Sequence, residues 1–346
     1  MVVALAQRLG ARALRAVPER WIARIAGAPT VIRGRTLDPH VALITRASRV
    51  PALHTLSPAE ARAVTSESLA PAAAPLRPLE RREEHRVPGA DGALTARLYA
   101  PPDLDGPRPL VLYFHQGGFV VGELDWCEPF CSVLATGARC PVLSIDYRMG
   151  PEHRFPAAQE DAWAVYRFAL ERAGELGGDP ERIGVGGDSA GGGLAALIAQ
   201  RARAEGVRAP RVQLLIYPWL LACADNAAYR DFGACPPLVR EDIPWFLSHY
   251  LNSDAERDDV RLSPALATDL DGLAPALVYA AGFDILCDET EAYAQRLAQA
   301  GVPVVYRCYE SLPHGFTLLA GVAPAAARAL DEIARDVDLV LSRGSG

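Results

Sequence analysis

The chain has 346 residues, half of them hydrophobic, with a formal charge of −7 and a pI near 5.6. All its basic residues are arginine. A Walker-type phosphate loop, a pyridoxal Schiff base and a lysine nucleophile are therefore excluded, since each needs a lysine amine.

No basic block accompanies the acidic balance, so nucleic acid is not an expected partner. The seven cysteines are odd in number and include no C-x-x-C pair. They read as reduced, mostly buried thiols of a cytoplasmic protein rather than as a disulfide framework or a zinc ribbon. The seven histidines are scattered singly, and neither a metal nor another cofactor is expected. The length suits one large domain, or a core plus a lid. No apolar run approaches the roughly 20 residues of a membrane span.

The N-terminal stretch "MVVALAQRLGARALRAVPERWIARIAG" is amphipathic and rich in arginine. A transit peptide or a membrane-surface helix fits that composition, but a helix packed on the body of the protein is the simpler reading. "SLAPAAAPLRP", Ser68 to Pro78, reads as a linker within residues 61–81. Two alternating segments, Arg82–Val87 and Leu94–Tyr99, flank the turn "GADG" and predict a hairpin.

From Pro109 the pattern changes to continuous apolar runs: "PLVLYFH", "PVLSIDY", "RIGVGGD", "RVQLLIYP", "PALVYAAG" and "VPVVYRCY". Strands buried on both faces read this way. Helical patterns lie near 157–176, 191–205, 289–300 and 324–341. An α/β fold with a mostly parallel sheet of about eight strands flanked by helices follows. Nearly sixty residues separate "LLIYP" from "PALVYAAG", and they include Trp219, Phe232, Trp245 and Phe246. Open α/β sheets place lids and ligand pockets in such an insertion.

Gly187-Asp188-Ser189-Ala190-Gly191 fits G-x-S-x-G between an expected strand and an expected helix. Small residues two before and two after the serine let strand and helix approach at a strained turn. A dinucleotide-binding loop fits poorly, because Ser189 stands where its third glycine belongs. A serine nucleophile needs a base, and the base an orienting acid. After Ser189 only His249 and His314 remain. His249 lies in the apolar pattern of the insertion, whereas His314 follows the last strand in "SLPHGF" and is the expected base. Asp284 is the first carboxylate past the penultimate strand and the expected acid. Asp288 is the fallback, since it and Glu289 open the next helix, where carboxylates favour the dipole. Oxyanion donors would come from the amide of Ala190 and from the loop His115-Gln116-Gly117-Gly118.

Over about residues 82 to 343 the chain resembles the hormone-sensitive-lipase-like family of α/β-hydrolase carboxylesterases (bacterial family IV). Five blocks appear in that family's order: "HQGG" for its H-G-G-G loop, "DYRMGPEHRFPAAQED", "GDSAGG", "DILCDE" and "HGF". The resemblance implies a triad of Ser189, Asp284 and His314, and an oxyanion hole from the amides of Gly117, Gly118 and Ala190. It gives His115 a loop-bracing role, and Asp188 and residues 152–156 structural ones. It also implies a helical cap from residues 1–60 and 218–262 over a catalytic domain of residues 82–343. Gln116 and Met149-Gly150 depart from the family's usual residues.

The expected function is a cofactor-independent serine carboxylesterase, and the family resemblance implies short- to medium-chain acyl esters as its substrates. The alternatives are an amidase or acyltransferase on the same triad, or a non-catalytic small-molecule receptor. Gln116, Phe119, Trp219, Phe232 and Trp245 are candidates for the substrate pocket, with Val120, Leu220 and Phe246 beside them. The expected partner is a small ester, and the expected state a monomer or homodimer.

Overall fold

The computed structural model describes residues 10, 13–102, 104, 106, 108–223 and 225–342. Eight strands form one sheet: β1 (Arg81–Gly89), β2 (Gly92–Ala100), β3 (Arg108–Phe114), β4 (Val142–Ile145), β5 (Gly178–Asp188), β6 (Gln213–Ile216), β7 (Ala276–Phe283) and β8 (Val304–Pro313). Their order is β8-β7-β6-β5-β3-β4-β2-β1. β2 pairs antiparallel with β1 and β4, and the other pairs are parallel. Each strand coincides with a segment expected from the sequence. Every residue of β4, β6 and β7 is buried, which is why those segments are apolar without alternation.

Alternation survives in the packing. Leu112 and Phe114 enter one core and Val111 and Tyr113 the other, on opposite faces of the sheet. α5 (Ala157–Arg172), α6 (Ala190–Ala204) and α9 (Cys287–Gln299) contribute to the first core, and α4 (Leu124–Ala138) and α10 (Pro324–Ser342) to the second. α4 was not among the expected helices. Pro129 stands inside it, and ten of its fifteen residues are buried, so neither propensity nor one-sided periodicity marks it. Tertiary burial holds it instead, at roughly 1.5–3 kcal/mol for each large side chain such as Phe130.

Outside this sandwich the N-terminal arm supplies α1 (Glu19–Ala26), α2 (Pro39–Ala47) and α3 (Pro58–Leu69), and the insertion supplies α7 (Ala227–Asp231) and α8 (Asp242–Tyr250). Arm and insertion are joined directly. The His54 amide and ring nitrogen Nδ1 lie 3.2 and 2.8 Å from Asp242 Oδ1, and Trp245 Nε1 donates to the Leu56 carbonyl at 2.9 Å. Arg33 bridges Asp231 and Asp288 at 2.6 and 2.7 Å. α1 buries Ile22 and Ala26. Residues 1–9, 11 and 12 of the amphipathic stretch lie outside the described residues.

The segment read as a linker, 61–81, differs in the structure. Its first nine residues belong to α3, which a capping box of Ser57 and Glu60 opens, and a 3-10 turn at Ala70–Ala72 follows. Alanine favours helix, and the proline-rich part begins only after the helix is complete. Arg62 of α3 reaches the carbonyls of Val120 and Gly150 at 2.8 and 2.7 Å and so ties the arm to the body. Among the described residues no helix is long and apolar enough to cross a membrane.

Candidate active site

β5 ends at Asp188 and α6 begins at Ala190, which leaves Ser189 alone at the turn with φ 54° and ψ −120°. A residue with a side chain takes that conformation only under constraint. Ser189 N–H donates to the Ile216 carbonyl at 2.9 Å, and its own carbonyl accepts from the amides of Gly193 and Trp219 at 3.1 and 2.9 Å. The small flanking residues are sterically required. A Cβ on Gly191 would stand 1.9 Å from the Phe114 carbonyl oxygen, and one on Gly187 2.3 Å from the carbonyl carbon of Gly191.

Three side chains from separate strand ends meet in one hydrogen-bonded line. Ser189 Oγ is 3.0 Å from His314 Nε2, and His314 Nδ1 is 2.7 Å from Asp284 Oδ2. All three residues are buried. Asp284 Oδ1 accepts from the Leu286 amide at 2.9 Å, which fixes the plane of the carboxylate. Asp288, the fallback acid, faces the cap. It takes Arg33 at 2.7 Å and the Ala228 amide at 2.9 Å. His249 sits in α8 edge-on to Trp245, with ring centroids 4.8 Å apart.

The loop after β3 turns tightly at Gly117, whose carbonyl accepts from the amides of Val120 and Val121 at 3.1 and 2.9 Å. Gly117 has φ 132°, and a Cβ there would lie 1.8 Å from the Val121 carbonyl oxygen, so only glycine fits. Among the described residues nothing accepts from the amides of Gly117, Gly118 or Ala190, which leaves three donors free for a ligand. His115 Nδ1 lies 2.8 Å from the Gln116 carbonyl, and its ring stacks on Tyr147 at 4.3 Å. Tyr147 O–H donates to the His115 carbonyl at 2.7 Å. Burial lowers the pKa of His115, which favours a neutral imidazole with Nδ1 donating to that carbonyl.

A cavity of about 160 Å³ opens onto Ser189 and His314. Gln116, Gly117, Gly118 and Trp219 form part of its wall, and Leu53 and Leu69 of the arm with Ile243 and Phe246 of α8 cover it. Three expected pocket residues lie elsewhere. Phe119 stacks on Tyr250 at 4.7 Å, Phe232 packs on Phe283 at 5.6 Å, and Trp245 packs against Phe246 at 5.2 Å. Phe119 and Phe232 are buried where the insertion meets the body, and Trp245 is half-buried against residues of the arm and insertion themselves. The arm's share in the cavity had no sequence signal, because Leu53 and Leu69 are ordinary apolar residues. Gly150, one of the departures, has a packing role: a Cβ there would stand 2.6 Å from the His249 carbonyl oxygen.

A family model of the alpha/beta hydrolase fold matches residues 111–318. The chain belongs to the α/β hydrolase fold family. The carboxylic ester hydrolase LipN of Mycobacterium tuberculosis is 40% identical to this hydrolase over 92% of the chain and 87% of the relative. An ethyl acetate hydrolase of Pseudomonas putida is 36% identical over 81% and 89%. Among solved structures, a thermostable esterase from Pseudomonas putida superimposes with a TM-score of 0.84 at 30% identity, over 88% of this chain and 98% of that one. The hormone-sensitive-lipase-like resemblance read from the five blocks stands.

Two buried carboxyls flank the hydrolase site, and no sequence signal set out their partners. Asp188 Oδ2 accepts from Thr317 Oγ1 at 2.8 Å and from the Tyr217 hydroxyl at 3.0 Å, and burial raises its pKa. Glu289 Oε1 accepts from the amides of Leu220 and Leu221 at 2.9 and 3.3 Å, and burial pushes its carboxyl well above the ordinary range. A raised folded-state value means that this group's stabilising contribution is whole below the unfolded pKa of about 4.3 and is lost as pH rises towards the folded value. Glu289→Gln keeps an acceptor for both amides and cannot ionise. Its Tm relative to wild type should therefore be higher at pH 8 than at pH 5 in thermal melts. An equal difference at both pH values would show that the carboxyl does not titrate this way.

Proposed function

We propose that this ester hydrolase is a serine carboxylesterase that cleaves short- to medium-chain acyl esters through an acyl-enzyme. The observation that carries the reading is the line Ser189 Oγ–His314 Nε2 at 3.0 Å and His314 Nδ1–Asp284 at 2.7 Å, beside a loop with free amides. Ser189 Oγ attacks the ester carbonyl while His314 Nε2 takes its proton. Asp284 holds the other ring proton on Nδ1 and stabilises the imidazolium that forms. The tetrahedral oxyanion faces the amides of Gly117, Gly118 and Ala190, and one such donor is worth roughly 10²–10³ in rate. Collapse of the intermediate expels the alcohol, which receives its proton from Nε2. Water, deprotonated by the same nitrogen, then releases the acid.

The small apolar cavity supports a short acyl group, as does the likeness to an ethyl acetate hydrolase. A second cavity of about 520 Å³ shares Leu69, Trp126 and Leu318 with the first, and Glu123, Asp125 and Glu128 also line it. Residues 82–343 carry the chemistry, with residues 1–60 and 218–262 as its cap. A cytoplasmic location accords with the free thiols of all seven cysteines. No cofactor takes part.

The test is labelling with an active-site phosphonate, read by peptide mass spectrometry, beside hydrolysis of a matched butyrate ester and butyramide. A label on Ser189 and turnover of the ester alone are expected. A label elsewhere, or no label, would remove Ser189 from its role. Preferential amide turnover would make the protein an amidase on the same triad.

A further inference from the structure

We infer that Gln116 selects esters that carry a hydroxyl group next to the ester function, with that hydroxyl donating to Gln116 Oε1. The inference rests on the esterase reading above and names its substrate class. Gln116 is the residue at which the glycine loop departs from its family pattern, and its side chain is 93% buried in the cavity wall, being only 7% exposed. Around it the cavity is mostly apolar, with Leu238, Ile243, Phe246 and Leu286 in its lining. Asp242, another polar wall residue, already takes His54 on Oδ1 and the Val239 amide on Oδ2.

The orientation of the Gln116 amide follows from its neighbours. The Thr317 hydroxyl meets Asp188 Oδ2 at 2.8 Å and the Tyr217 hydroxyl at 2.5 Å, and its one proton goes to one of these two oxygens. The Thr317 oxygen is then an acceptor towards Gln116, and the amide must present its NH₂ there, at 3.3 Å. Oε1 is thereby turned towards the cavity. A Cβ on Gly315 would lie 3.3 Å from it, so it sits beside the turn that carries His314. Among the described residues no N–H or O–H donates to this oxygen. A carbonyl oxygen in an apolar wall is stabilised by a ligand donor and disfavours a ligand acceptor. A hydroxyl fits it, whereas an ether or a second carbonyl does not.

The acyl part and the alcohol part are the two sources of such a hydroxyl, and two pairs of esters distinguish them: methyl 2-hydroxybutyrate against methyl butyrate, and 2-hydroxyethyl butyrate against propyl butyrate. The readout is the ratio of kcat/KM within each pair, so that overall losses and intrinsic ester reactivity cancel between variants. Gln116→Met, apolar and of similar length, should lower the ratio in one pair by about two- to tenfold relative to wild type. Thr317→Val frees the amide to rotate and should lower the ratio in the same pair, which tests the idea without altering Gln116. Ratios equal to wild type in both pairs and both variants would overturn the hydroxyl subsite and leave the esterase reading standing. Wild-type hydrolysis of none of the four esters would overturn both.

Discussion

Ser189→Ala should lower kcat/KM towards a short acyl ester on the order of 10⁶-fold and leave the protein folded. The two expectations have separate physical grounds. Ser189 Oγ bonds to His314 Nε2 alone among the contacts described, at 3.0 Å, so truncation forfeits about 1 kcal/mol of hydrogen bonding. The strained turn at φ 54° is held by backbone bonds to Ile216, Gly193 and Trp219, and these are untouched. A variant with near wild-type Tm and no turnover therefore isolates the loss of the nucleophile. The small residue is expected to be the hydrolysis that free amides and binding sustain alone. Retention of more than about a hundredth of wild-type activity would contradict the assignment. An unchanged rate would point to a site elsewhere in the molecule.

Asp284→Asn should cost about 10⁴-fold in kcat, and Asp288→Asn only a few-fold. Asp284 Oδ2 receives the Nδ1 proton of His314 at 2.7 Å, and Oδ1 is pinned by the Leu286 amide at 2.9 Å. With that amide still bonded to the carboxamide oxygen, asparagine turns its NH₂ towards Nδ1. The imidazole proton then moves to Nε2, which can no longer accept from Ser189. Asp288 instead pairs with Arg33 in a contact that is about a quarter exposed on both sides. Such pairs contribute up to roughly 1 kcal/mol. Steady-state kinetics on both variants compare the two carboxylates directly. A larger loss in Asp288→Asn would exchange their roles.

The choice between these carboxylates was already open to reasoning from chain position. Asp284 comes directly after Phe283, the last residue of β7, while Asp288 lies in the first turn of α9. Strand ends and helix starts face different surroundings, and both are marked by local pattern. The choice among aromatic residues was not open in that way. Trp219 and Trp245 stand in the same insertion with similar apolar neighbours, yet one lines the cavity and the other packs against Phe246. Apolar character says that a side chain leaves water, and not which surface it leaves water for. The same limit hid α4, which is apolar nearly all round, and the helical part of residues 61–81.

What the sequence determined by itself was therefore whatever short-range sterics and periodicity impose. The central strands are legible because a strand buried on both faces must be an apolar run of a few residues, and β1 and β2 because their segments alternate on either side of a turn. The turn at Ser189 is legible because a strand and a helix meeting within five residues leave no room for Cβ atoms at Gly187 and Gly191. Tertiary structure alone decided which distant groups meet. Gln116 and Thr317 are 201 residues apart, and His54 and Asp242 are 188 apart. Those contacts depend on how whole layers and the cap stack, and no local rule in the chain encodes their approach.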